Sequence, residues 1–270
     1  MSCELRLARD MGPLAGLGVL VTRPEHQAHG LCQLIEAQEG SALRFPALAI
    51  RAVPGLAGVR AALGPIDRYH LVIFVSANAV RFGGDLLAQR RDLALAAVGR
   101  ATAQALNTAG HRVSVVPTEG ADSEALLALP RLQHMSGQRV LIVRGRGGRE
   151  LIAETLAARG AEVTYAEVYE REPARPTPAA LATLEELWRH GAINVYTATS
   201  SDLLEALLGI VTPRCRELMD STVLLTGAAR VADLAARRGL GSPVVLAERQ
   251  DDEALVAALV SWRKRGQSPF

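Results

Sequence analysis

The chain has 270 residues and a formal net charge of +2 at neutral pH, from 30 basic and 28 acidic side chains. This near balance, without a basic block, argues against a nucleic-acid-binding protein. Hydrophobic residues make up 49% of the chain but aromatic residues only 4%, which favours helices packed on a parallel sheet over an aromatic-rich β-sandwich. No apolar run approaches the length of a membrane span, and the first residues lack a secretory-signal pattern, so we expect neither a membrane protein nor a secreted one.

The cysteines and histidines give no sign of a cross-linked or metal-binding protein. The three cysteines, Cys3, Cys32 and Cys215, are widely spaced and form no CxxC pair. This usage suits a reducing cytoplasm better than a disulfide framework or a structural zinc site. Among the six histidines, His26 and His29 share a predicted helix face, and surface histidines are the more common interpretation, so we expect no metal site.

Apolar runs that predict strands alternate with helical patterns along the whole chain. The first predicted strand is 18–23, and the second, 42–50, is interrupted by Pro46, which is typical of an edge or connecting strand. Further strands are predicted at 71–76, 93–98, 113–117, 139–144, 161–172, 194–199, 222–227 and 243–248. Helices are predicted at 25–38, 119–129, 148–159 and 178–190, among others.

The two halves of the chain resemble each other. VLVTRP returns as VLIVRG, with Arg23 over Arg144, and AAVGRATAQAL returns as LLTGAARVADL, with Gly99 over Gly227. A repeat of this kind predicts two copies of one unit, each a parallel sheet with helices on both faces. Ligands of such sheets bind at the carboxyl ends of the strands. We therefore expect two lobes that close on a small anionic molecule.

Small and hydroxyl residues cluster where four of the predicted strands give way to helices, at 76–78, 99–102, 197–200 and 226–228. Exposed N–H groups and the positive end of the helix dipole attract anions at such places. Ser, Thr and Asn also cap helices without binding anything, which is the more common role for any one segment. Four such segments on matched strand ends favour anion binding.

The run RGRGGRE at 144–150 is the most unusual segment. Three arginines and three glycines after a strand are typical of an anion cradle, although a solvated basic turn would look the same. The run lacks the GxGxxG spacing, and the chain has no GKS or GKT, which argues against dinucleotide binding and triphosphate hydrolysis. Tyr169, in the strand text EVYERE, is most simply a packing residue, but its phenol could also serve as a proton donor.

Six segments together resemble the uroporphyrinogen-III synthase family: VTRP at 21–24, FVSANAV at 74–80, AVGRATAQAL at 97–106, SEALL at 123–127, RGRGGRELIAETLAARGAEV at 144–163 and VYERE at 168–172. The resemblance covers about residues 17–262. It implies a cofactor-free cytoplasmic hydro-lyase of haem and tetrapyrrole biosynthesis. Such an enzyme cyclises the linear hydroxymethylbilane to uroporphyrinogen III, with inversion of ring D and loss of water.

The resemblance also implies the architecture. The fold class would be α/β, with two flavodoxin-like parallel-sheet lobes related by internal duplication and joined by a two-stranded linker. Lobe 1 would be discontinuous, 14–48 plus 174–263, and lobe 2 would be 52–168, with tails at 1–13 and 264–270. Each lobe would then take its first strand from one repeat and the rest from the other, so that the chain crosses the linker twice.

The site residues carried over from the family are one catalytic residue, Tyr169, and a set of substrate-binding residues: Arg23, Ser76, Asn78, Gly99, Thr102, Arg144, Gly145, Thr197, Thr199, Ser200 and Gly227. The resemblance implies that Tyr169 assists the departure of the substrate hydroxyl. Two positions depart from the family pattern, since Arg230 replaces a common Thr and Ala198 a common Ser. Both put the contacts of the second repeat in doubt.

The partners implied are the small-molecule substrate and a transient hand-over from hydroxymethylbilane synthase, with the protein acting as a monomer and binding neither nucleic acid nor membrane. Two alternatives stay open. One is a non-catalytic two-lobed binding protein of the same fold for an anionic small molecule. The other is a nucleotide-dependent oxidoreductase, which the missing dinucleotide fingerprint makes the weakest of the three.

Overall fold

Ten β-strands and eleven α-helices form within residues 12–87, 93–120 and 122–266, the residues that the computed structural model describes. The strands are β1 (Gly18–Val21), β2 (Ser41–Arg44), β3 (Leu48–Ala52), β4 (Leu71–Phe74), β5 (Leu95–Ala97), β6 (Arg139–Gly145), β7 (Glu162–Pro173), β8 (Val195–Thr197), β9 (Val223–Thr226) and β10 (Val244–Leu246). The helices are α1 (Glu25–Ala37), α2 (Leu56–Leu63), α3 (Ala77–Gly83), α4 (Arg100–Thr108), α5 (Ser123–Leu127), α6 (Leu151–Ala158), α7 (Pro178–Arg189), α8 (Ser201–Ile210), α9 (Pro213–Met219), α10 (Ala229–Arg237) and α11 (Asp252–Lys264). Short 3-10 turns lie at Ile66–Arg68, Gly84–Leu87 and Pro130–Leu132.

The backbone divides into two units, with boundaries between Ala49 and Ile50 and between Arg171 and Glu172. We call Ile50–Arg171 the middle unit and the described residues before and after it the terminal unit. Most of the predicted tails, 1–13 and 264–270, lies outside the described residues. None of the helices in the described ranges has the length and apolar character needed to cross a membrane.

The terminal unit is built on a five-stranded parallel sheet of order β10-β9-β8-β1-β2. Read from β2 and counted in chain order, this is 2-1-3-4-5, the order of flavodoxin-like sheets. The central strands are buried on both faces, which is why they read as continuous apolar runs. Leu20 and Tyr196 pack towards α7–α10, whereas Val19 and Val195 pack towards α1 and α11.

The middle unit holds a second five-stranded sheet, of order β3-β7-β6-β4-β5. Its pairs β7–β6, β6–β4 and β4–β5 are parallel, so the predicted parallel sheets are confirmed in both units. Phe74 and Val143 pack on the face covered by α2, α3 and α4, and Ile73 and Ile142 on the face covered by α5 and α6. The order β5-β4-β6-β7 follows the same 2-1-3-4 sequence as the other sheet.

Both unit boundaries fall inside strands. The chain enters the middle unit within β3 and leaves it within β7, and the two strands are neighbours in the sheet. At twelve residues, β7 is the longest strand of the described chain. The second predicted strand, 42–50, is in fact two strands, because Pro46 falls in the break between β2 and β3 and has no N–H to give to a ladder.

One other predicted strand needs correction, and two helices of the described chain were not predicted. The predicted strand 113–117 is reduced to one bridge, between Val115 and Ala96; the neighbouring strand β5 is only three residues long and Pro117 cannot donate. Helix α2 was not predicted, because of its residues only Leu63 is buried and the apolar pattern is weak. Helix α9 was also missed, although Thr212 followed by proline is a recognisable helix start.

Candidate active site

The carboxyl ends of β4 and β6 meet where the strand order of the middle sheet reverses. The two strands are neighbours, yet β5, which lies between them in sequence, sits on the far side of β4. Parallel α/β sheets bind ligands at such switch points. Ser76 follows β4 by two residues and Gly145 ends β6, so two of the predicted site residues lie at this position.

Tyr169 reaches the same position from β7 through an irregularity in the pairing with β6. The register passes from Arg144 opposite Glu167 to Gly145 opposite Tyr169, so Val168 is an extra residue on β7. A bulge of this kind re-aims the side chains beside it. Tyr169 thereby joins the same hydrophobic cluster as Val168, although adjacent residues of a regular strand face opposite ways.

The Tyr169 side chain is fixed by contacts around its ring. Its hydroxyl lies 3.1 Å from the Ser76 Oγ, and its ring is stacked against Phe82 with the ring centroids 6.0 Å apart. The ring also lies so close to Gly145 that a Cβ at that position would be 2.6 Å from two ring carbons. The residue is only 3% exposed, so its conformation is set by the protein rather than by solvent.

A pocket of about 300 Å³ is lined by Ser76 and Tyr169 together with the loop that follows β6. Arg146, Arg149 and Arg171 line it as well. The first of these pairs with Glu170 at 2.7 Å and the second with Glu124 at 3.8 Å. Exposed pairs of this type contribute little, so an incoming carboxylate can replace them, and guanidinium groups suit carboxylates geometrically.

Arg144, a predicted substrate contact, is engaged within the protein. Its guanidinium is buried and binds Glu150 at 2.8 Å and Glu167 at 3.2 Å. It also lies over the Tyr165 ring, 4.0 Å from the centroid. Burial opposes the charge of Arg144, but the hydrogen bonds and attraction of these carboxylates outweigh burial and raise its pKa. The described structure therefore offers Arg146, Arg149 and Arg171 to a ligand more directly than Arg144.

Glu150 and Tyr165 complete this network. The Tyr165 hydroxyl donates a hydrogen bond to Glu150 Oε2. That bond, followed by the hydrogen bond from Arg144, lowers the pKa of the Glu150 carboxyl. Burial and the bond to Glu150 raise the pKa of Tyr165 to about 12, so this phenol stays protonated as a fixed donor. The Arg144–Glu150 hydrogen bond thereby joins β6 to the far end of the loop that follows it.

The remaining predicted residues of the middle unit lie near the starts of α3 and α4. Ser76 caps α3, since its Oγ accepts a hydrogen bond from the Ala79 N–H. Asn78 and Thr102 are both buried, and Gly99 precedes α4 without a side-chain cap. Val98 lines the pocket, whereas Asn78, Gly99 and Thr102 do not. The structure thus brings Ser76, Gly145 and Tyr169 together at the pocket, and Asn78, Gly99 and Thr102 are not part of its lining.

The predicted residues of the terminal unit lie at the carboxyl ends of β1, β8 and β9. Arg23 forms an ion pair with Asp252 and donates to the Gln250 carbonyl at 3.2 Å. Thr197 is fully buried, and its Oγ1 accepts from the Thr22 N–H at 3.2 Å. Thr197 is therefore a structural tie between β1 and β8 rather than a group that meets solvent.

Of the other terminal-unit positions, Ser200 caps α8 by accepting from the Leu203 N–H at 3.2 Å. Thr199 is half-buried, and Ala198, at one of the two positions where the sequence departs from the family pattern, is fully buried. Gly227 is required by space, because a Cβ there would lie 2.3 Å from the Arg249 carbonyl oxygen. Arg230, the other departure, is exposed at the start of α10.

Sequence reasoning missed three arginines of the pocket as individual contacts. Arg146 and Arg149 belong to the RGRGGRE run, so that run carried a signal for them. Arg171 lies within β7, in the VYERE segment, where nothing singled it out as a contact. As for metals, the described ranges contain no group of three His, Cys, Asp or Glu side chains that could hold an ion.

These features define a class: a two-unit α/β protein with parallel sheets, whose middle unit carries a buried tyrosine beside a pocket lined by arginines. A family model described as uroporphyrinogen-III synthase HemD matches residues 30–257. The chain belongs to the uroporphyrinogen-III synthase family.

Individual relatives agree with this assignment. The uroporphyrinogen-III synthase of Escherichia coli K12 is 35% identical over 253 residues, which cover 90% of this chain and all of the relative. Among solved structures, the uroporphyrinogen-III synthetase of Helicobacter pylori 26695 matches with a TM-score of 0.58 at 16% identity, covering 91% of this chain and 99% of the other. A mutant uroporphyrinogen III synthase from Thermus thermophilus matches with a TM-score of 0.56 at 21% identity, covering 93% and 99%. At such identities the two structures support the fold.

Proposed function

We propose that this protein is a hydro-lyase that converts hydroxymethylbilane into uroporphyrinogen III, inverting ring D and releasing water. The observation that carries the proposal is the Tyr169 hydroxyl, which lies beside Ser76 in a pocket lined by arginines. A phenol that is protonated near neutral pH is a competent proton donor. Membership of the family favours this enzyme over a non-catalytic binding protein of the same fold.

The proposed chemistry needs little from the protein beyond one proton donor and correct folding of the substrate. The pyrrole nitrogens drive departure of the substrate hydroxyl, which leaves an electron-deficient methylene pyrrolenine. Tyr169 would protonate the departing hydroxyl, and binding would hold the chain ends together for ring closure. Because the substrate itself supplies the driving force, loss of Tyr169 should slow the reaction rather than abolish it.

Substrate binding would rest on the eight carboxylates of hydroxymethylbilane. Four arginines line the pocket, Arg144, Arg146, Arg149 and Arg171. Because Arg144 is already bound by Glu150 and Glu167, we propose the other three as carboxylate partners. From the predicted set we retain Ser76, Gly145 and, by resemblance, Thr199 and Ser200 as lining residues of the site. We propose that the other predicted residues support the turns that bind substrate. Arg23, Arg144, Thr197 and Gly227 have their described contacts with the protein, and Asn78, Gly99 and Thr102 do not line the pocket.

We further propose that the two units are the functional lobes, with the bounds 14–48 plus 174–263 and 52–168, and that they descend from one duplicated flavodoxin-like unit. The shared 2-1-3-4 strand order supports a duplication. The unit boundaries inside β3 and β7 support a two-stranded linker.

The setting of the enzyme is also a proposal. We propose a cytoplasmic monomer that receives its unstable substrate by transient hand-over from hydroxymethylbilane synthase. The state of Cys32 and Cys215 supports a reducing compartment, because both are buried and free. The monomeric state and the hand-over rest on the resemblance to the family.

The test of the function is the isomer that forms. Purified protein is incubated with enzymatically generated hydroxymethylbilane, and the oxidised products are separated by chromatography into type I and type III uroporphyrin. The proposal predicts type III product at a rate proportional to protein concentration. Formation of only the spontaneously closed type I isomer would refute it.

A further inference from the structure

We infer that Ser76 is a positioning residue: its hydroxyl donates to Tyr169 Oη and so leaves the Tyr169 proton free to point into the pocket. This inference rests on the proposed function and assigns Ser76 a role through Tyr169 rather than on the substrate. It begins from one short contact, the 3.1 Å between the Ser76 Oγ and the Tyr169 Oη.

The other partner of Ser76 is compatible with donation from Ser76 to Tyr169. The Ser76 Oγ accepts from the Ala79 N–H at 3.1 Å. A serine hydroxyl has one hydrogen and two lone pairs, so after this bond it keeps one lone pair and its hydrogen, and either hydroxyl can donate to the other. If that hydrogen goes to Tyr169 Oη, the tyrosine keeps its own proton for a ligand. In the reverse orientation the proton that the reaction needs would point back at Ser76.

The geometry leaves Tyr169 few other orientations. Phe82 lies against its ring, Gly145 lies within contact of its hydroxyl end, and the Tyr169 carbonyl accepts from the Arg146 N–H at 2.8 Å. The ring position is therefore fixed by packing, and the remaining freedom is rotation of the hydroxyl hydrogen. Ser76 is the side chain placed to decide that rotation.

The proton-transfer step balances with this arrangement. The bond between the substrate methylene carbon and its oxygen breaks, and its electron pair leaves with the oxygen. The Tyr169 proton goes to that oxygen and water departs. The phenolate oxygen that remains is stabilised by the hydrogen bond from Ser76. Ring closure onto a pyrrole carbon releases one proton, which restores the phenol, so the net change is cyclisation with loss of one water.

The test is a double-mutant cycle of Ser76→Ala and Tyr169→Phe on the type III reaction. We expect each single change to lower kcat about ten-fold. Loss of a general acid usually lowers the rate at least about hundred-fold, but here the substrate pyrroles drive departure of the hydroxyl, so the effect is smaller. In the Tyr169→Phe protein, which has no hydroxyl to orient, Ser76→Ala should lower kcat less than two-fold further. KM should change little in any variant.

Ser76 also caps α3, so the capping role needs its own control. Glycine is nearly as good as serine at an N-cap and alanine is poorer. Ser76→Gly should therefore keep thermal stability close to wild type yet lose as much kcat as Ser76→Ala, whereas Ser76→Thr should recover activity lost in Ser76→Ala. Thr177→Ala removes a matched hydroxyl cap, on α7, and should lower the melting temperature without lowering kcat.

The possible failures are distinguishable. If the wild-type protein yields no type III isomer, the proposed function and this inference both fall. If it yields type III isomer but the two losses multiply in the double variant, or if Ser76→Gly keeps wild-type kcat, the inference alone is overturned. A rise in KM without a fall in kcat for Ser76→Ala would likewise overturn it, because Ser76 would then bind substrate directly.

Discussion

Gly145 contributes to the site because it has no Cβ. It ends β6 directly opposite Tyr169, and the tyrosine ring occupies the volume that any Cβ would fill. The predicted role of Gly145 as a substrate contact and its steric role are compatible, since a glycine also lets a ligand approach the backbone. The steric role makes the sharper prediction.

Gly145→Ala is expected to lower kcat about ten-fold, because the new methyl group must displace the Tyr169 ring. This loss is similar to that expected on removal of the Tyr169 hydroxyl, and it is below the usual range for loss of a general acid. Steady-state kinetics of type III formation measure this. Gly148→Ala is the matched comparison, since its Cβ would meet its nearest neighbour at 3.4 Å, and it should lose less activity. Equal losses in the two variants would contradict the steric role of Gly145.

Glu150, which belongs to the network around Arg144, should make the stability of the folded protein depend on pH. Hydrogen bonds from Tyr165 and Arg144 lower the pKa of its carboxyl in the folded protein. The unfolded chain then takes up this proton at a higher pH than the folded protein does. The stabilisation from Glu150 is accordingly present above the ordinary carboxyl pKa and lost as the pH falls through the lower, folded-state value.

Glu150→Gln should therefore flatten the decline of the unfolding free energy between about pH 5 and pH 3. Urea titrations at several pH values in this range measure the slope for each protein. Glu36→Gln, which removes an exposed carboxylate from α1, controls for the loss of one charge. A slope in Glu150→Gln that is as steep as in the wild type would contradict the assigned role.

How far the site could be predicted differs from residue to residue. The sequence alone places Tyr169 in a predicted strand shortly before Pro173, and its phenol marks it as a possible proton donor. Its contact with Ser76, 93 positions earlier, was not, because it depends on which strands are neighbours and on a bulge that the alternation of β7 does not reveal. Arg144 was singled out for its place in an unusual run, and only the fold shows that Glu167 already binds it.

Among the elements, strands β1 and β8 are joined by side-chain hydrogen bonds as well as by their backbone hydrogen bonds. The Thr22 Oγ1 donates to the Thr197 carbonyl at 2.6 Å, and the Thr22 N–H donates to Thr197 Oγ1 at 3.2 Å. Both side chains are fully buried. Because β8 has only three residues, these side-chain bonds extend a short pairing at the point where the sheet order reverses.

Thr197→Val keeps the side-chain volume but removes the acceptor for the Thr22 N–H. A buried donor left without a partner costs about 1–3 kcal/mol, so the unfolding free energy should fall by about that amount. Chemical denaturation at neutral pH measures it. Thr199→Val, at a half-buried position two residues on, should cost less. Unchanged stability in Thr197→Val would mean that this tie contributes nothing.

The elements themselves were largely predictable where the sequence pattern was strong. Strands such as β4 and β6 are buried on both faces and flanked by turn residues, so their apolar runs were unambiguous. The failures are the places where pattern and environment disagree: α2 is mostly exposed, and the text around Val115 is apolar but forms only a bridge.

At the scale of the whole molecule, the parallel sheets and their helices followed from the alternation of strand and helix. The strand order within each sheet did not follow from composition or spacing; it came from the resemblance to the family, and the described sheets now give the pairing directly. The fold neighbours from Helicobacter pylori and Thermus thermophilus match at 16% and 21% identity, so the same fold forms from sequences that differ at most positions.

The central claim is that this chain directs ring closure to the type III isomer with Tyr169 as the proton donor. The most direct test compares the initial rate of type III formation by the wild-type and Tyr169→Phe proteins on the same hydroxymethylbilane preparation. Type III product is expected from both proteins, with kcat reduced about ten-fold in the variant, below the usual general-acid range, and KM little changed. An unchanged rate in Tyr169→Phe, or only type I product from the wild type, would contradict it.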